Sequence, residues 1–306
     1  MDRYYQLIII GGGPAGLSAG IYAARSKLHT LLIEKVGLGG QILNAELVEN
    51  YPGFPQGIAG AELGSLMAQQ AEKYGLPTAM ADVEGIEIRG EEKIVVTSEG
   101  RYRAKAVIIA SGSEYRKLGV PGEEQFTGRG VSYCATCDAA FFRDEIVSVV
   151  GGGNVALNDA LFLTKFASKV IVIHRRDQLR ATKILQDRAL AQPKIDFLWD
   201  TVVESINGDK QVKELKLRNV KTGEKSSLSV SGVFVAVGLR PNTGYLKGLL
   251  TLDEGGFIVV NGQMETPVPG VFAAGDIRAG SIRQVVSAAG DGATAAISAE
   301  RYISSR

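Results

Sequence analysis

The sequence predicts an α/β protein built from two similar strand–turn–helix–strand units. Two apolar, β-branched runs, at residues 6–10 and 146–150, each end in a glycine triplet, and residues at helical spacing follow both triplets. The separation from the first glycine to the end of the next strand is 23 positions in both units, from residue 11 to 34 and from residue 151 to 174. Such internal repeats are typical of two Rossmann-like domains of the three-layer ββα type.

Composition and charge narrow the class of function. The 306 residues carry 34 Lys and Arg against 33 Asp and Glu, and a formal charge of +1 gives no field for nucleic acid or an acidic membrane surface. We therefore expect a small-molecule or protein substrate, with neither nucleic acid nor membrane as partner. The first residues run directly into a strand without the pattern of a secretory signal, so a cytoplasmic location is the default expectation.

The first repeat predicts a dinucleotide site. The strand at residues 6–10 leads into residues 11–16 (GGGPAG), a helix follows to residue 25, and a second strand at residues 30–33 ends at Glu34. Free N–H groups at the helix start suit a pyrophosphate, and a carboxylate at Glu34 suits the 2′-hydroxyl of an adenosine ribose. The alternative is a tight turn in an α/β core. The predicted binding residues are Gly11, Gly13, Pro14, Ala15, Gly16 and Glu34.

Both cysteines of the chain lie in one tetrapeptide, residues 134–137 (CATC), followed by Asp138. In a reducing compartment such a pair is expected to be catalytic, and beside nucleotide loops it predicts an enzyme that moves electron pairs between a cofactor and a disulfide. Asp138 is a candidate to supply or remove a proton, with a helix N-cap as its alternative role. No metal is expected, because tetrahedral zinc takes four ligands and the only histidines are His29 and His174.

The second repeat predicts a site of different charge. Residues 151–156 (GGGNVA) open a helix that is predicted to run through Lys165, and a strand at residues 170–173 ends at His174, where the first repeat has Glu34. The guanidinium groups that follow would grip the 2′-phosphate of NADP(H), which a carboxylate would repel. The alternative is a solvated loop. The predicted binding residues are Gly151, Gly153, Asn154, Val155, Ala156, His174, Arg175, Arg176 and Arg180.

Two dinucleotide sites imply one nicotinamide and one flavin, because a hydride donor needs a partner that can hold the electron pair. The C-terminal stretch supports a flavin. Residues 269–276 predict a short buried strand ending at Asp276, and Arg283, Gln284 and Val285 are predicted to open an Ala- and Gly-rich helix. The dipole at the start of that helix would stabilise negative charge on a reduced flavin, and ordinary helix packing is the alternative.

Over essentially its whole length the sequence resembles low-molecular-weight, bacterial-type thioredoxin reductases of the class II pyridine nucleotide-disulfide oxidoreductases. The motifs that carry the resemblance stand in the family's order: residues 11–16, 39–41 (GGQ), 49–54 (ENYPGF), 134–138 (CATCD), 174–181 (HRRDQLRA) and 275–276 (GD).

The resemblance implies FAD and NADPH as cofactors, thioredoxin as the partner and a homodimer. It implies that Cys137 lies against the flavin C4a and that Cys134 attacks the thioredoxin disulfide. It also implies that Asp138 acts as acid and base. It also implies the residues that line FAD beyond the first glycine loop: Gly40, Gln41, Asn50, Val83, Gly112, Gly275, Asp276, Arg283, Gln284 and Val285.

The same resemblance implies a discontinuous FAD-binding domain, residues 1–113 and 244–306, with an NADPH-binding domain, residues 114–243, inserted into it. Joining stretches at residues 111–113 and 240–244 suit a hinge. Because the NADPH loop and the cysteine pair belong to the same inserted domain, we hypothesise that they take turns at the flavin by domain rotation.

One departure from the family pattern leaves alternatives open. In the family, an acidic residue and then Ser usually follow the second glycine triplet, whereas this chain has Asn154 and Val155. The affinity for NADPH is therefore expected to be higher or lower than is usual in the family. A related flavin-dependent dithiol reductase, for another redox protein or with another electron donor, is the second interpretation. A non-catalytic flavin redox sensor is the third.

Overall fold

The computed structural model describes residues 3–45, 47–246 and 248–306, and it divides into two compact units. The first unit comprises Met1–Glu114 and Arg240–Arg306, and the second comprises Tyr115–Leu239. Residues 1 and 2 of the predicted FAD domain lie outside the described residues. In the described part of the chain, no helix has both the length and the apolar character needed to cross a membrane.

The strands are β1 Arg3–Ile10, β2 Thr30–Glu34, β3 Thr78–Met80, β4 Val83–Arg89, β5 Glu92–Thr97, β6 Gly100–Ile109, β7 Ser113–Tyr115, β8 Val131–Ser132, β9 Ile146–Val150, β10 Lys169–Ile173, β11 Ile195–Leu198, β12 Thr201–Gly208, β13 Val212–Asn219, β14 Lys225–Ser229, β15 Gly232–Val235, β16 Leu239–Pro241 and β17 Val271–Ala273. The α-helices are α1 Pro14–Arg25, α2 Gly60–Lys73, α3 Ala135–Asp138, α4 Asn154–Leu163, α5 Lys183–Leu190 and α6 Val285–Ser304.

The first unit is built on a seven-stranded sheet in the order β3-β2-β1-β6-β5-β4, with β17 paired to β6. Strand β1 is parallel to both neighbours, and Ile10 pairs with Ile33 on β2 and with Ile109 on β6. The carboxyl ends of three parallel strands therefore meet beside the first glycine loop. The apolar run at the end of β1 is buried, as expected for a strand covered on both faces.

Helices α1 and α6 pack closely against the same side of the first glycine loop. A Cβ atom on Gly292 would collide with the carbonyl oxygen of Ala15, and one on Gly16 would collide with that of Gly11. Glycine at these two positions lets the α6 and β1 backbones approach α1 directly. The start of α1 is thereby fixed relative to β1 and to the C-terminal segment.

The second unit repeats this arrangement. Its sheet has the order β11-β10-β9-β15-β8, and the pairs within it are parallel. Val150 pairs with Ile173 in the second repeat, just as Ile10 pairs with Ile33 in the first. A separate antiparallel sheet, in the order β12-β13-β14, completes the unit. The predicted pair of Rossmann-like units is confirmed.

Two predicted element boundaries are wrong. Helix α4 ends at Leu163 and does not run through Lys165, because the N–H of Lys165 donates to the carbonyl of Phe162, three residues back, in a turn that departs from the α-helical pattern. Helix α6 begins at Val285, with Gln284 as its N-cap. Arg283 lies before the helix with φ +57°, a left-handed backbone conformation that cannot open a right-handed helix.

Candidate functional site

The first glycine loop is shaped to receive an anion. Gly11 has φ +106°, and a Cβ atom there would collide with Ala110. Gly13 is the N-cap of α1, no side chain caps the helix, and its first turn holds no acidic residue. Pro14 takes the first helical position, where a missing N–H costs nothing. The N–H groups of the first turn are therefore available to a phosphate.

Gly13 faces a second glycine across this loop. Gly40, with φ +63°, is so close that a Cβ atom on it would lie 2.9 Å from the Cα of Gly13. Added side chains would fill the space between them. Gly40 begins a short 3-10 helix over Gly40–Asn44, which also carries the predicted Gln41.

Glu34 lies at the tip of β2 with its carboxylate fixed by the backbone. Oε2 accepts a hydrogen bond from the N–H of Gly12 at 2.6 Å, and Oε1 accepts one from the N–H of Val36 at 3.0 Å. Each carboxylate oxygen has further acceptor capacity. This carboxylate is held beside the loop in a position to accept from a ribose hydroxyl.

The C-terminal segment brings several predicted flavin residues together. The side-chain amide of Asn50 donates to Oε1 of Gln284 at 2.9 Å, and that of Gln41 donates to the carbonyl of Ser113. Asp276 accepts from the Ser281 hydroxyl at 3.1 Å. Burial raises the pKa of the Asp276 carboxyl, and the Ser281 hydrogen bond lowers it by less.

Asp291 is a buried carboxylate that the sequence reasoning missed. It accepts hydrogen bonds from Arg278 at 2.6 and 2.9 Å and from the N–H of Gly275 at 3.1 Å. This bidentate pair fixes the turn that leads into Asp276. The available signal was a lone aspartate within an Ala- and Gly-rich helix.

Arg283 supplies the most direct test of whether a cofactor fits. Its Nε is buried and is the one such side-chain nitrogen or oxygen, among the described residues, that has no hydrogen-bond partner. The guanidinium carbon lies 5.4 Å from the ring centroid of Phe257, which holds the group in place. A buried unsatisfied N–H costs about 1–3 kcal/mol unless an acceptor is supplied. A flavin carries such acceptors, so the residues fit the group.

The remaining predicted flavin residues lie in the same unit. Val83 begins β4 and is half-buried. Gly112 has φ +67°, and its carbonyl accepts a hydrogen bond from the N–H of Asn242 at 3.0 Å. A Cβ atom on Gly275, which has φ +78°, would lie 2.8 Å from the Cβ of Ala15. Val285 is the first residue of α6.

The second glycine loop resembles the first in backbone and differs in side chains. Gly151 has φ +155°, Gly153 is the uncapped N-cap of α4, and Ala156 is buried in the helix's first turn. The Asn154 side chain turns away from capping: its Oδ1 accepts from the N–H of Thr182 at 2.8 Å. Val155 is exposed.

His174 packs on this loop. A Cβ atom on Gly152 would collide with its ring, and its Nε2 lies 3.0 Å from the carbonyl oxygen of Gln178. Burial lowers the pKa of His174, and the neighbouring arginines lower it further, against the opposing hydrogen bond to Gln178. The lowered pKa favours the neutral imidazole, which packs against the glycine loop.

Positive charge at this edge comes from Arg175, Arg176 and Arg180, whose side chains are exposed. Their segment is folded against the glycine loop, because the N–H of Arg180 donates to the carbonyl of Gly152 at 2.7 Å. Exposed guanidinium groups beside a helix N-terminus are suited to a phosphate.

Cys134 and Cys137 form a disulfide across the short helix α3. The carbonyl of Cys134 accepts from the N–H groups of Cys137 and Asp138, both at 3.2 Å, and the N–H of Cys134 donates to Oγ of Ser132 at 3.1 Å. Cys134 is half-buried and Cys137 is exposed within this unit. The pair is thus held by its own backbone and by β8.

Asp138 follows the pair directly. Burial raises the pKa of its carboxyl, and a hydrogen bond with Ser132 lowers it by less. Asp138 makes no side-chain cap hydrogen bond, so its alternative role as a helix N-cap is not seen. A carboxyl that keeps its proton to a higher pH is suited to proton transfer with a thiolate.

Comparisons with known proteins agree with this chemistry. The model of the pyridine nucleotide-disulphide oxidoreductase family matches residues 5–292. Thioredoxin reductase of Streptomyces coelicolor is 48% identical over 306 residues, covering 99% of this chain and 95% of the relative. That of Bacillus subtilis is 47% identical over 303 residues, covering 99% and 96%.

Solved structures give the same result. The crystal structure of thioredoxin reductase from Streptococcus pyogenes MGAS5005 has a TM-score of 0.96 at 48% identity and covers 100% of both chains. A ferredoxin-flavin thioredoxin reductase from Clostridium acetobutylicum has a TM-score of 0.56 at 33% identity, also over 100% of both chains.

Proposed function

The chain belongs to the pyridine nucleotide-disulphide oxidoreductase family, and from this premise we propose that it is an NADPH-dependent thioredoxin-disulfide reductase. Electrons pass from NADPH through FAD and the Cys134/Cys137 dithiol to the disulfide of thioredoxin. The proposal depends above all on the disulfide between Cys134 and Cys137, the only two cysteines of the chain. The same chain has two glycine loops, with the acidic Glu34 following the first and arginines following the second.

FAD, when bound, supplies two-electron chemistry that can connect a nicotinamide hydride with a disulfide. The first unit would hold it: the loop of Gly11, Gly13 and Gly16 would receive the pyrophosphate, and Glu34 would accept from the ribose. Arg283 Nε would donate to a flavin acceptor. The proposed FAD-binding domain, residues 1–113 and 244–306, lies within the first unit, which also includes residues 114 and 240–243.

The second unit binds NADPH. Gly151, Gly153 and the start of α4 would receive the pyrophosphate, while Arg175, Arg176 and Arg180 would pair with the 2′-phosphate. Three cations have no function toward a donor that lacks this phosphate, and this favours NADPH over other electron donors. Residues 114–243 form the NADPH-binding domain that carries the redox pair.

Thiol chemistry follows from the pair itself. Two electrons and one proton convert the Cys134–Cys137 disulfide into one thiol and one thiolate. The Cys134 sulfur attacks one sulfur of the thioredoxin disulfide, a mixed disulfide forms and the other thioredoxin sulfur leaves as a thiolate. Cys137 then attacks Cys134, so the intramolecular disulfide re-forms and dithiol thioredoxin is released. Asp138 donates and accepts the protons of these steps at its carboxyl oxygen.

The same proposal includes a homodimer in the cytoplasm. Both follow from the family and not from a contact described in the molecule. Sedimentation of the purified holoenzyme tests the dimer directly.

Steady-state turnover tests the function. Purified flavoprotein with NADPH and thioredoxin should oxidise NADPH in proportion to the thioredoxin disulfide reduced. Cys134→Ser and Cys137→Ser should each lose at least about 100-fold, since each removes one thiol of a two-thiol reaction. The exposed Ser226→Ala on β14 should retain the wild-type rate. Flavin reduced by NADPH without any transfer to thioredoxin would favour a different redox-protein partner.

Anaerobic NADPH titration separates the roles of the two cysteines. With no thioredoxin present, Cys134→Ser should show the long-wavelength absorbance of a thiolate beside the flavin, because Cys137 remains. Cys137→Ser should lack this absorbance. The opposite pattern would exchange the two assignments.

A further inference from the structure

Glu123 is a buried carboxylate that the reaction described above does not use. Only 1% of its surface is exposed. Its Oε1 accepts hydrogen bonds from the N–H of Leu118 and the hydroxyl of Tyr133, both at 2.9 Å, and its Oε2 accepts from the N–H of Gly119 at 2.8 Å. Among the described residues, no ion pair includes Glu123. Three neutral donors therefore hold a carboxylate in the interior.

Such a group is costly to bury, so its position requires a structural reason. A carboxylate without a cation keeps its place only when its oxygens are well hydrogen-bonded. Hydrogen bonds to a charged acceptor are stronger than neutral ones, at about 1.5–3 kcal/mol each. Glu123 thus fixes its partners more firmly than a neutral side chain would.

The partner that matters is Tyr133, because it immediately precedes Cys134. The Tyr133 hydroxyl is held by Glu123, and its ring stacks on Tyr115 with centroids 5.2 Å apart. The backbone on the other side of this residue is fixed as well, since the Cys134 N–H donates to Ser132. The redox pair therefore begins at a residue that is held on several sides.

We propose that Glu123 and Tyr133 are positioning residues that keep the sulfur atoms of Cys134 and Cys137 close together when their bond is open. Reduction removes the covalent link across α3. Because Tyr133, the residue before Cys134, is held in place, the two thiols have less freedom to separate. The effective concentration of one thiol at the other is therefore high, which favours the disulfide. Weakening the hydrogen bond between Tyr133 and Glu123 shifts the equilibrium toward the dithiol.

The reduction potential of the pair measures this directly. Oxidised holoenzyme is equilibrated in buffers of a reference dithiol and its disulfide, so that one protein disulfide is reduced for each reference dithiol oxidised. Because the chain contains only two cysteines, alkylation of free thiols after quenching reports the couple without interference. We expect Tyr133→Phe and Glu123→Gln each to shift the equilibrium constant about three- to tenfold toward the dithiol, or about 15–30 mV.

Two comparisons separate positioning from general destabilisation. Ser231→Ala removes a hydroxyl-to-carboxylate bond to Glu145, 2.6 Å long, elsewhere in the same unit, and it should leave the potential unchanged. In the double variant, the shift should be clearly smaller than the sum of the two single shifts, because Tyr133→Phe removes the donor of a hydrogen bond whose charged acceptor Glu123→Gln makes neutral.

A lower melting temperature with an unaltered potential in Tyr133→Phe would overturn the proposal, and so would fully additive shifts. Tyr133→Phe keeps the ring and removes one hydroxyl, so it carries the test even if Glu123→Gln fails to fold. The inference rests on the proposed redox role of the pair. The measurement needs neither NADPH nor thioredoxin, however, so loss of turnover with thioredoxin would count against the proposed function and leave this result standing.

Discussion

The side chain of Asn154 accepts a hydrogen bond from the backbone N–H of Thr182 at 2.8 Å. This bond links the start of α4 to the segment that ends the arginine loop. In the family pattern an acid stands at this position, and the amide here provides the same acceptor atom without a negative charge near the phosphates. Asn154 therefore fixes the backbone at the edge of the proposed NADPH site.

Asn154→Ala should loosen the segment that carries Arg180 and weaken NADPH binding. Loss of one hydrogen bond of this kind corresponds to about 1 kcal/mol, so we expect the KM for NADPH to rise roughly fivefold with little change in kcat. Steady-state kinetics with varied NADPH measures this. Asn207→Ala, which removes a side-chain bond to Ser205 on β12, is the matched control. A fall in kcat with unchanged KM would argue against the assignment.

Arg176→Gln should reduce the preference for NADPH over NADH. In the proposed function this guanidinium pairs with the 2′-phosphate, which NADH lacks. A charge-assisted bond contributes about 1.5–3 kcal/mol, so kcat/KM for NADPH should fall roughly 10- to 100-fold. The value for NADH should stay within about twofold. Arg188→Gln removes an exposed cation on α5 and should alter neither value. Equal losses with both nucleotides would contradict a contact with the 2′-phosphate.

Local sequence predicted the two glycine loops because their geometry depends on residue type at fixed positions. Gly11 and Gly151 need positive φ, and the strands before them are apolar on both faces. This pattern predicts the parallel sheets. Because the two repeats align position by position, it also shows that His174 stands in the second repeat where Glu34 stands in the first.

Long-range packing produced the features that the sequence did not reveal. Asp291 meets Arg278, and Glu123 meets Tyr133, only once helices and loops have docked. The left-handed backbone of Arg283 also has no local signal, because arginine has no preference for that conformation. Pairings of this kind depend on tertiary structure, which a propensity or a periodicity does not contain.

Arg283→Ala should weaken FAD retention. The buried Nε has no hydrogen-bond partner in the part of the chain that the structure describes, and an acceptor on the flavin would satisfy it, so removal should lower FAD affinity roughly 10-fold or more. Release of FAD on dilution, followed by flavin fluorescence, measures the change. Arg301→Ala, on the exposed face of α6, should bind FAD as the wild type does. Unchanged retention in Arg283→Ala would exclude the proposed contact.

Asp138→Asn should alter the pH dependence of thioredoxin reduction. Burial raises the pKa of this carboxyl, so it remains a proton donor to a higher pH than an ordinary aspartate, and the rate should fall as the pH rises through that raised pKa. The amide cannot titrate. The variant should lose roughly 100-fold in kcat/KM together with this limb of the profile. A limb of unchanged position in Asp138→Asn would assign it to another group.

Asp159 should make the protein less stable at alkaline pH. Burial in α4 raises the pKa of its carboxyl to about 7. In the unfolded chain the group ionises near pH 4, so the native state loses stability as the pH rises from there and the loss is complete above the folded pKa. Asp159→Asn avoids this cost. After allowance for solvent access, we expect a gain of about 1–2 kcal/mol at pH 8, seen as a melting temperature a few degrees higher, and almost none at pH 4. Asp187→Asn on α5 removes an exposed carboxylate that pairs with Lys183 at 3.0 Å, and it should not reproduce the effect. Because the gain comes from ionisation of the Asp159 carboxyl and not from packing, an equal gain at both pH values would contradict the prediction.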